Sequence, residues 1–125
     1  MGRQRVPRTR AGNTWTESRY FSFIRSALRL ASSKYPVKFQ VLDDAKRIKP
    51  KGKAGKHRFE FLCNECGGWF ANKDVSVDHI VPAGSLKTYE DLPGFAERLF
   101  CEPEGMQILC TDCHHVKTQA ERKAR

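Results

Sequence analysis

The sequence lacks long apolar runs, and no stretch of about 18 residues is apolar enough to predict a membrane-spanning helix. The first ten residues carry four arginines and lack the apolar core of a secretory signal peptide. Hydrophobic residues make up only 39% of the 125, so a bound metal would help so small a core to stay folded. We therefore expect a cytoplasmic protein with one modest core and no membrane partner.

Acidic residues are scarce in the first half of the chain. Residues 1–62 hold 16 Lys and Arg against 4 Asp and Glu, a balance of +12, whereas residues 63–125 hold 7 against 10, a balance of −3. The basic half is joined to a mildly acidic half that carries Cys and His. This distribution favours a DNA-binding arm attached to a metal site. The alternative for the basic half is a disordered tail that only adds solubility. We divide the chain at residue 58 into a basic, DNA-binding helical extension and a second domain, residues 59–125.

The extension begins with residues 1–13, which show no periodicity and are expected to be disordered in the free protein. A helix is predicted to start at Thr14, with Glu17 completing a capping box, and to end at the Tyr35-Pro36 pair. Residues 37–48 alternate as a strand does but also fit a helix, which is slightly favoured because Asp43 and Arg47 can pair at i, i+4. Residues 46–58 contain seven Lys and Arg and predict a flexible basic loop. The predicted DNA-backbone contacts are Arg3, Arg5, Arg8, Arg10, Arg25, Arg29, Lys49, Lys51, Lys53, Lys56 and Lys117.

The second half predicts short strands that alternate with turns, followed by helices. Residues 59–62, 69–70 and 75–81 have the pattern of strands, with a turn at 72–74. Residues 106–109 are a short apolar run that leads into the second cysteine pair. Residues 93–100 predict a short helix, and a last helix is expected from Thr111 toward Arg125. The predicted fold class is α+β.

Two Cys-x-x-Cys pairs predict a structural zinc site. Cys63 and Cys66 form the first pair, and Cys110 and Cys113 form the second, after 43 intervening residues. Two such pairs can provide the four thiolates of a tetrahedral zinc shell. The bland alternative, incidental reduced cysteines, is disfavoured because the pairs match. Cys101 is expected to be a small buried hydrophobic residue and not a fifth ligand.

Asp78, His79 and His114 predict a second metal site. Asp78 offers an oxygen ligand for a hard divalent ion, and His114 offers a nitrogen. His79 can then act as general base toward water. Folding that brings Cys113 to the first cysteine pair also brings His114 close to the strand that carries Asp78. Adjacent strand residues point to opposite faces, so Asp78 and His79 can share a site only if the strand ends or bends there.

The segment VDHIVP at 77–82, the two cysteine pairs and LCTDCHHVKT at 109–118 together resemble the HNH endonucleases, the ββα-metal or His-Me finger nucleases, and especially small phage-encoded ones. The resemblance covers residues 59–121. It implies a small zinc-braced ββα-metal core with an N-terminal helical, basic extension. It also implies Asp78 and His114 as ligands of a catalytic Mg²⁺ or Mn²⁺, with Zn²⁺ or Ni²⁺ as alternatives. His79 is then the general base, and the bacterial host cytoplasm is the location.

The implied reaction is hydrolysis of a DNA phosphodiester to a 5′-phosphate and a 3′-hydroxyl. A single site predicts nicking of double-stranded DNA by a monomer, with a dimer as the alternative state. His115 falls at a variable position of the family pattern and ranks below His114. The chain departs from the pattern at Gly105, where the family has an asparagine. That departure is the best argument for the alternative of a non-catalytic, zinc-stabilised nucleic-acid-binding module. A zinc-ribbon protein-interaction module is a further alternative, which the +12 balance of the first half makes less attractive.

Overall fold

The computed structural model describes residues 5–50, 52 and 58–123, and it confirms the predicted α+β class. The helices are α1 (Glu17–Ser32), α2 (Pro36–Asp44), α3 (Leu92–Leu99) and α4 (Thr111–Lys123). The strands are β1 (Lys46–Ile48), β2 (Phe59–Leu62), β3 (Trp69–Phe70), β4 (Val75–His79) and β5 (Met106–Cys110). Within the described ranges, no helix is both long and apolar enough to cross a membrane.

The chain folds into two compact units. The helical unit comprises the described part of residues 1–34 together with residues 82–100, and the ββα unit comprises the described parts of residues 35–81 and 101–125. The chain therefore leaves the ββα unit after Val81 and returns to it at Cys101. The functional division at residue 58, between a DNA-binding extension and a nuclease domain, stays a prediction.

The helical unit is built on the packing of α1 against α3. Phe21, Phe95 and Leu99 are almost completely buried at its centre. Burying one such side chain contributes roughly 1.5–3 kcal/mol, so this small cluster stabilises the packing of the unit. Other members of the cluster are Ala83 and Leu86, with Tyr20, Ile24, Leu28, Leu92 and Phe100 packed around them.

Helix α1 begins later than the sequence predicted. Its N-cap is Thr16, whose hydroxyl oxygen accepts a hydrogen bond from the Arg19 N–H at 3.1 Å. The predicted capping box on Thr14 was wrong, because the Thr14 hydroxyl donates to the Ala11 carbonyl at 2.6 Å within a tight turn. The Arg10 carbonyl closes that turn by accepting the Thr14 N–H. Thr14 therefore belongs to the turn that precedes α1 and does not cap the helix.

Residues 36–48 contain both of the structures that the sequence left open. Helix α2 ends at Asp44, and β1 follows and pairs antiparallel with β2. The predicted helical pair of Asp43 with Arg47 does not form, since Asp43 contacts Lys46 at 2.6 Å and Arg47 lies opposite Glu60 on β2. The predicted flexible loop therefore begins as a strand. Its residues 51 and 53–57 lie outside the described residues.

Strands β4 and β5 form an antiparallel pair, and α4 follows β5 without a loop. The register places Asp78 opposite Gln107 and His79 opposite Met106. Strand β4 ends at His79, two residues earlier than predicted, and the next N–H, that of Ile80, donates to the Gly105 carbonyl at 2.9 Å. Because α4 packs against both strands, this ββα arrangement brings the end of β4 to the first turns of α4.

Candidate functional site

Four cysteines meet at one end of the ββα unit. The sulfur atoms of Cys63, Cys66, Cys110 and Cys113 all lie within 4.8 Å of one another, and those of Cys66 and Cys110 are 4.0 Å apart. Four sulfurs at about 2.3 Å from a tetrahedral zinc would be about 3.8 Å apart. The thiols are free, so no disulfide competes for them. The four cysteines can therefore hold a structural zinc ion.

Backbone N–H groups prepare Cys63 for metal binding. Burial by itself raises the pKa of the Cys63 thiol, but N–H groups of Cys66, Cys110 and Glu65 stabilise the thiolate and bring the pKa down to about 6. The Cys110 N–H contributes one such bond at 3.3 Å. The chain turns tightly directly after Cys66. This turn depends on Gly67, which has a φ of 76°, a conformation that other residues rarely adopt. These N–H donors thus favour the thiolate form of Cys63, which is the form that binds metal.

Asn64, inside the first Cys-x-x-Cys pair, links that pair to β5. Its side-chain Oδ1 accepts the Ile108 N–H at 2.7 Å, and its own N–H donates to the Ile108 carbonyl at 2.8 Å. These two bonds hold Cys63 and Cys66 beside the strand that ends in Cys110. This role of Asn64 was not predicted from the sequence. An asparagine between two paired cysteines was the available signal, since its side chain readily replaces a backbone partner.

Asp78 and His114 are brought together at the opposite end of the β4–β5 pair from Cys110. The distance between Asp78 Oδ1 and His114 Nε2 is 3.8 Å, and both side chains are partly buried. This distance is too long for a hydrogen bond but shorter than twice a typical metal–ligand distance of about 2.1 Å. One divalent ion can therefore contact both atoms. His79 is the last residue of β4 and is half-buried, whereas His115 is exposed.

The second carboxylate oxygen of Asp78 is buried beside an ammonium group. Asp78 Oδ2 lies 2.9 Å from Lys117 Nζ, but the angles are not those of a hydrogen bond, and within the described residues this oxygen accepts none. A buried carboxylate oxygen with unused acceptor capacity suits a cation-binding role. Lys117 Nζ also donates to the His79 carbonyl at 2.9 Å and pairs with Glu121. Burial alone lowers the pKa of Lys117, but Glu121 and Asp78 outweigh burial and raise it above the ordinary value.

Gly105, which stands where the family has an asparagine, has no room for a side chain. A Cβ atom on Gly105 would lie 2.7 Å from Cys101 Sγ. The Gly105 carbonyl accepts the Ile80 N–H, so the backbone itself holds the segment that follows His79. Cys101 is half-buried and outside the four-sulfur cluster, and burial raises the pKa of its thiol.

The predicted DNA contacts fall into different environments. Arg5, Arg8 and Arg29 are exposed, while Arg25 and Lys49 are half-buried. Arg10 is folded onto aromatic rings, with its guanidinium carbon 4.7 Å from the centre of the Tyr20 ring. Lys117 belongs to the Asp78 site. Outside the described residues lie Arg3, Lys51, Lys53 and Lys56.

A zinc-capable cysteine cluster on a ββα unit, with an acid and a histidine at its far end, defines the nuclease class that the sequence motifs resemble. A curated protein of Lactococcus phage SK1, named probable HNH endonuclease, is 31% identical over 70 residues, which cover 56% of this chain and 67% of that protein. The chain belongs to the HNH endonuclease family. No family model and no solved structure matches the chain.

Proposed function

We propose that this protein is a metal-dependent DNA endonuclease that nicks one strand of double-stranded DNA. The reaction is hydrolysis of a phosphodiester to a 5′-phosphate and a 3′-hydroxyl. The observation that carries the proposal is the 3.8 Å approach of Asp78 Oδ1 to His114 Nε2, with His79 the next residue after Asp78 in β4. Two ligands alone would be a weak signal, but here they converge from β4 and α4 next to a candidate general base.

Asp78 and His114 would hold the divalent ion, Mg²⁺ or Mn²⁺, with Zn²⁺ or Ni²⁺ as alternatives. A carboxylate oxygen and an imidazole nitrogen form a mixed donor set that these ions accept. When bound, such an ion polarises a phosphoryl oxygen and stabilises negative charge on a leaving oxygen. The protein's contribution is to fix the two donors on rigid elements, so that little reorganisation is required on binding.

His79 is proposed as the general base. Its imidazole takes a proton from the attacking water, and a histidine suits this role because its ordinary pKa lies near neutral pH. Its place at the end of β4, where the strand pairing stops, supports a side chain that shares the site with Asp78. Lys117 fixes the His79 carbonyl, which limits the movement of the backbone that carries the imidazole.

The basic first half is proposed to bind the DNA backbone. Its balance of +12 is far above that of the second half, and contacts to phosphates give affinity without sequence information. Arg25 and Arg29 lie one turn apart on α1 and present two cations from the same side of the helix. Partial burial, and then repulsion by Arg25, lower the pKa of Arg29. A phosphate between the two guanidinium groups would offset their repulsion. With one site per chain, a monomer cuts one strand.

Conversion of supercoiled plasmid to the open circular form tests the proposal. Wild type should nick in Mg²⁺ or Mn²⁺, and His79→Ala, Asp78→Ala and His114→Ala should each lose at least about 100-fold of the rate. The matched control is His115→Ala, which removes an exposed neighbouring histidine and should retain the wild-type rate. If wild type nicks no better than His79→Ala in any of the four ions, the nuclease proposal fails. The zinc-stabilised nucleic-acid-binding module then takes its place.

A further inference from the structure

Lys117 contacts both members of the Asp78–His79 pair. Its ammonium nitrogen is 2.9 Å from Asp78 Oδ2 and 2.9 Å from the His79 carbonyl oxygen, and it also pairs with Glu121 one turn further along α4. The ammonium donates to the His79 carbonyl and to Glu121 and forms an ion pair with Asp78, so three polar neighbours already surround it. The Lys117 side chain is only 24% exposed, which further limits its access to a phosphate.

We propose that Lys117 is a positioning residue of the nuclease site, which fixes the Asp78 carboxylate and the backbone of His79, and that Glu121 holds Lys117 in place. The inference rests on the proposed function for its catalytic meaning, but the contacts themselves can be tested without catalysis. It replaces the role of phosphate contact that the sequence motif alone favoured for Lys117.

The charges of the three side chains support a positioning role. Asp78 and Glu121 are both acidic, and Lys117 lies between them, so the group carries a net charge of −1. Lys117 alone would cancel the charge of Asp78 and weaken the attraction of that carboxylate for a cation. Glu121 restores one negative charge, so the lysine can orient Asp78 while the site stays attractive to a divalent ion.

The position of Lys117 on α4 also differs from that of a surface lysine. His114, Lys117 and Glu121 occur at i, i+3 and i+7, so they share the face of α4 that packs on β4 and β5. Lys123, near the end of the same helix, is exposed. Lys117 and Lys123 therefore differ in environment while they share residue type, charge and helix, which makes Lys123 a matched control.

Kinetics and DNA binding distinguish a positioning residue from a phosphate contact. Lys117→Met should lower the nicking rate at saturating DNA by about 10–100-fold. The DNA dissociation constant, measured without added divalent ion, should change no more than in Lys123→Met. Lys117→Arg should not restore the rate, since the larger planar guanidinium does not fit a compact three-way contact. The opposite pattern would overturn the inference: weaker DNA binding, a salt slope reduced by about 0.9, and full activity in Lys117→Arg.

Thermal unfolding tests the contact independently of nuclease activity. Lys117→Met should lower the melting temperature by about 4–8 °C, because it leaves a buried carboxylate without its cation. In an Asp78→Asn background the same substitution should cost much less. Additive shifts in the double mutant would mean that the contact does not form, and the inference would fall even if the protein nicks DNA. Coupled shifts in a protein that nicks no DNA would instead leave the contact standing and reject the nuclease proposal.

Discussion

Arg47 and Glu60 face each other directly across β1 and β2, and Glu60 is only 1% exposed. The Arg47 Nε group donates to Glu60 Oε1 at 2.8 Å. The guanidinium also stacks on the Trp69 ring of β3, with its central carbon 3.8 Å from the ring centre. One arginine thus links all three strands of this small sheet, which leads directly to Cys63.

Arg47→Met should lower the free energy of unfolding by about 2–3 kcal/mol, because it removes the cation from a buried carboxylate. The expected loss is smaller than for a fully buried pair, since the Arg47 side chain is 41% exposed. Adding Glu60→Gln should recover part of the loss. Urea unfolding of the single and double variants measures both effects, and an Arg47→Met variant as stable as wild type would contradict the prediction.

Gly105→Ala should destabilise the protein by about 1–3 kcal/mol, because the new methyl group collides with the Cys101 thiol. Cys101→Ala removes that sulfur atom and should reduce the cost of Gly105→Ala. Melting temperatures of the two single variants and the double variant form the test. If Gly105→Ala costs the same in both backgrounds, Cys101 is not what excludes a side chain at this position.

Cys63→Ser should lose the structural zinc, since it removes one of the four thiolates. Wild type should contain about one zinc ion per chain, and Cys63→Ser far less, with a lower melting temperature. Cys101→Ser is the matched control and should keep its zinc, because Cys101 is outside the four-sulfur cluster. Elemental analysis of purified protein measures both. Zinc retained at full stoichiometry in Cys63→Ser would reject the four-thiolate site.

Substitution of Arg8 should affect DNA binding, whereas substitution of Arg10 should affect stability. Arg8 is exposed, so Arg8→Ala should weaken DNA binding and reduce the salt slope by about 0.9 without changing the melting temperature. Arg10 contacts the Tyr20 and Tyr89 rings and pairs with Glu17, so Arg10→Ala should cost about 1 kcal/mol of stability. Fluorescence anisotropy with duplex DNA and thermal unfolding report the two effects. Equal behaviour of both variants would reject the distinction.

The spacing of the cysteine and histidine motifs predicted which side chains come together. Two cysteine pairs predict one metal shell whatever the intervening fold, and the structure brings all four sulfurs together. His114 directly follows Cys113, and α4 carries both of these residues. The approach of His114 to Asp78 could therefore be predicted from the position of Cys113 in the zinc site. Such predictions hold because metal ligands constrain distances more strongly than local propensity does.

Contacts between distant segments that no metal-binding motif links could not be predicted from the sequence. The strand pairing of Arg47 with Glu60 overrode the helical pairing with Asp43, since a buried acid gains more from a cation than an exposed one. Periodicity shows which face of α4 Lys117 occupies, but not that Asp78 and the His79 carbonyl lie opposite it. The space beside Gly105 was likewise invisible, because only the folded chain brings Cys101 against it.

Helix α4 follows its contact partners in the sequence, so it is synthesised after them. Cys110, Cys113, His114 and Lys117 all follow residue 109, whereas their partners Cys63, Cys66 and Asp78 emerge much earlier. A nascent chain that stops before β5 holds the proposed general base His79 and half of each candidate metal site, but neither site is complete. If the proposed nuclease function holds, partial products of synthesis or proteolysis that lack α4 should not cut DNA.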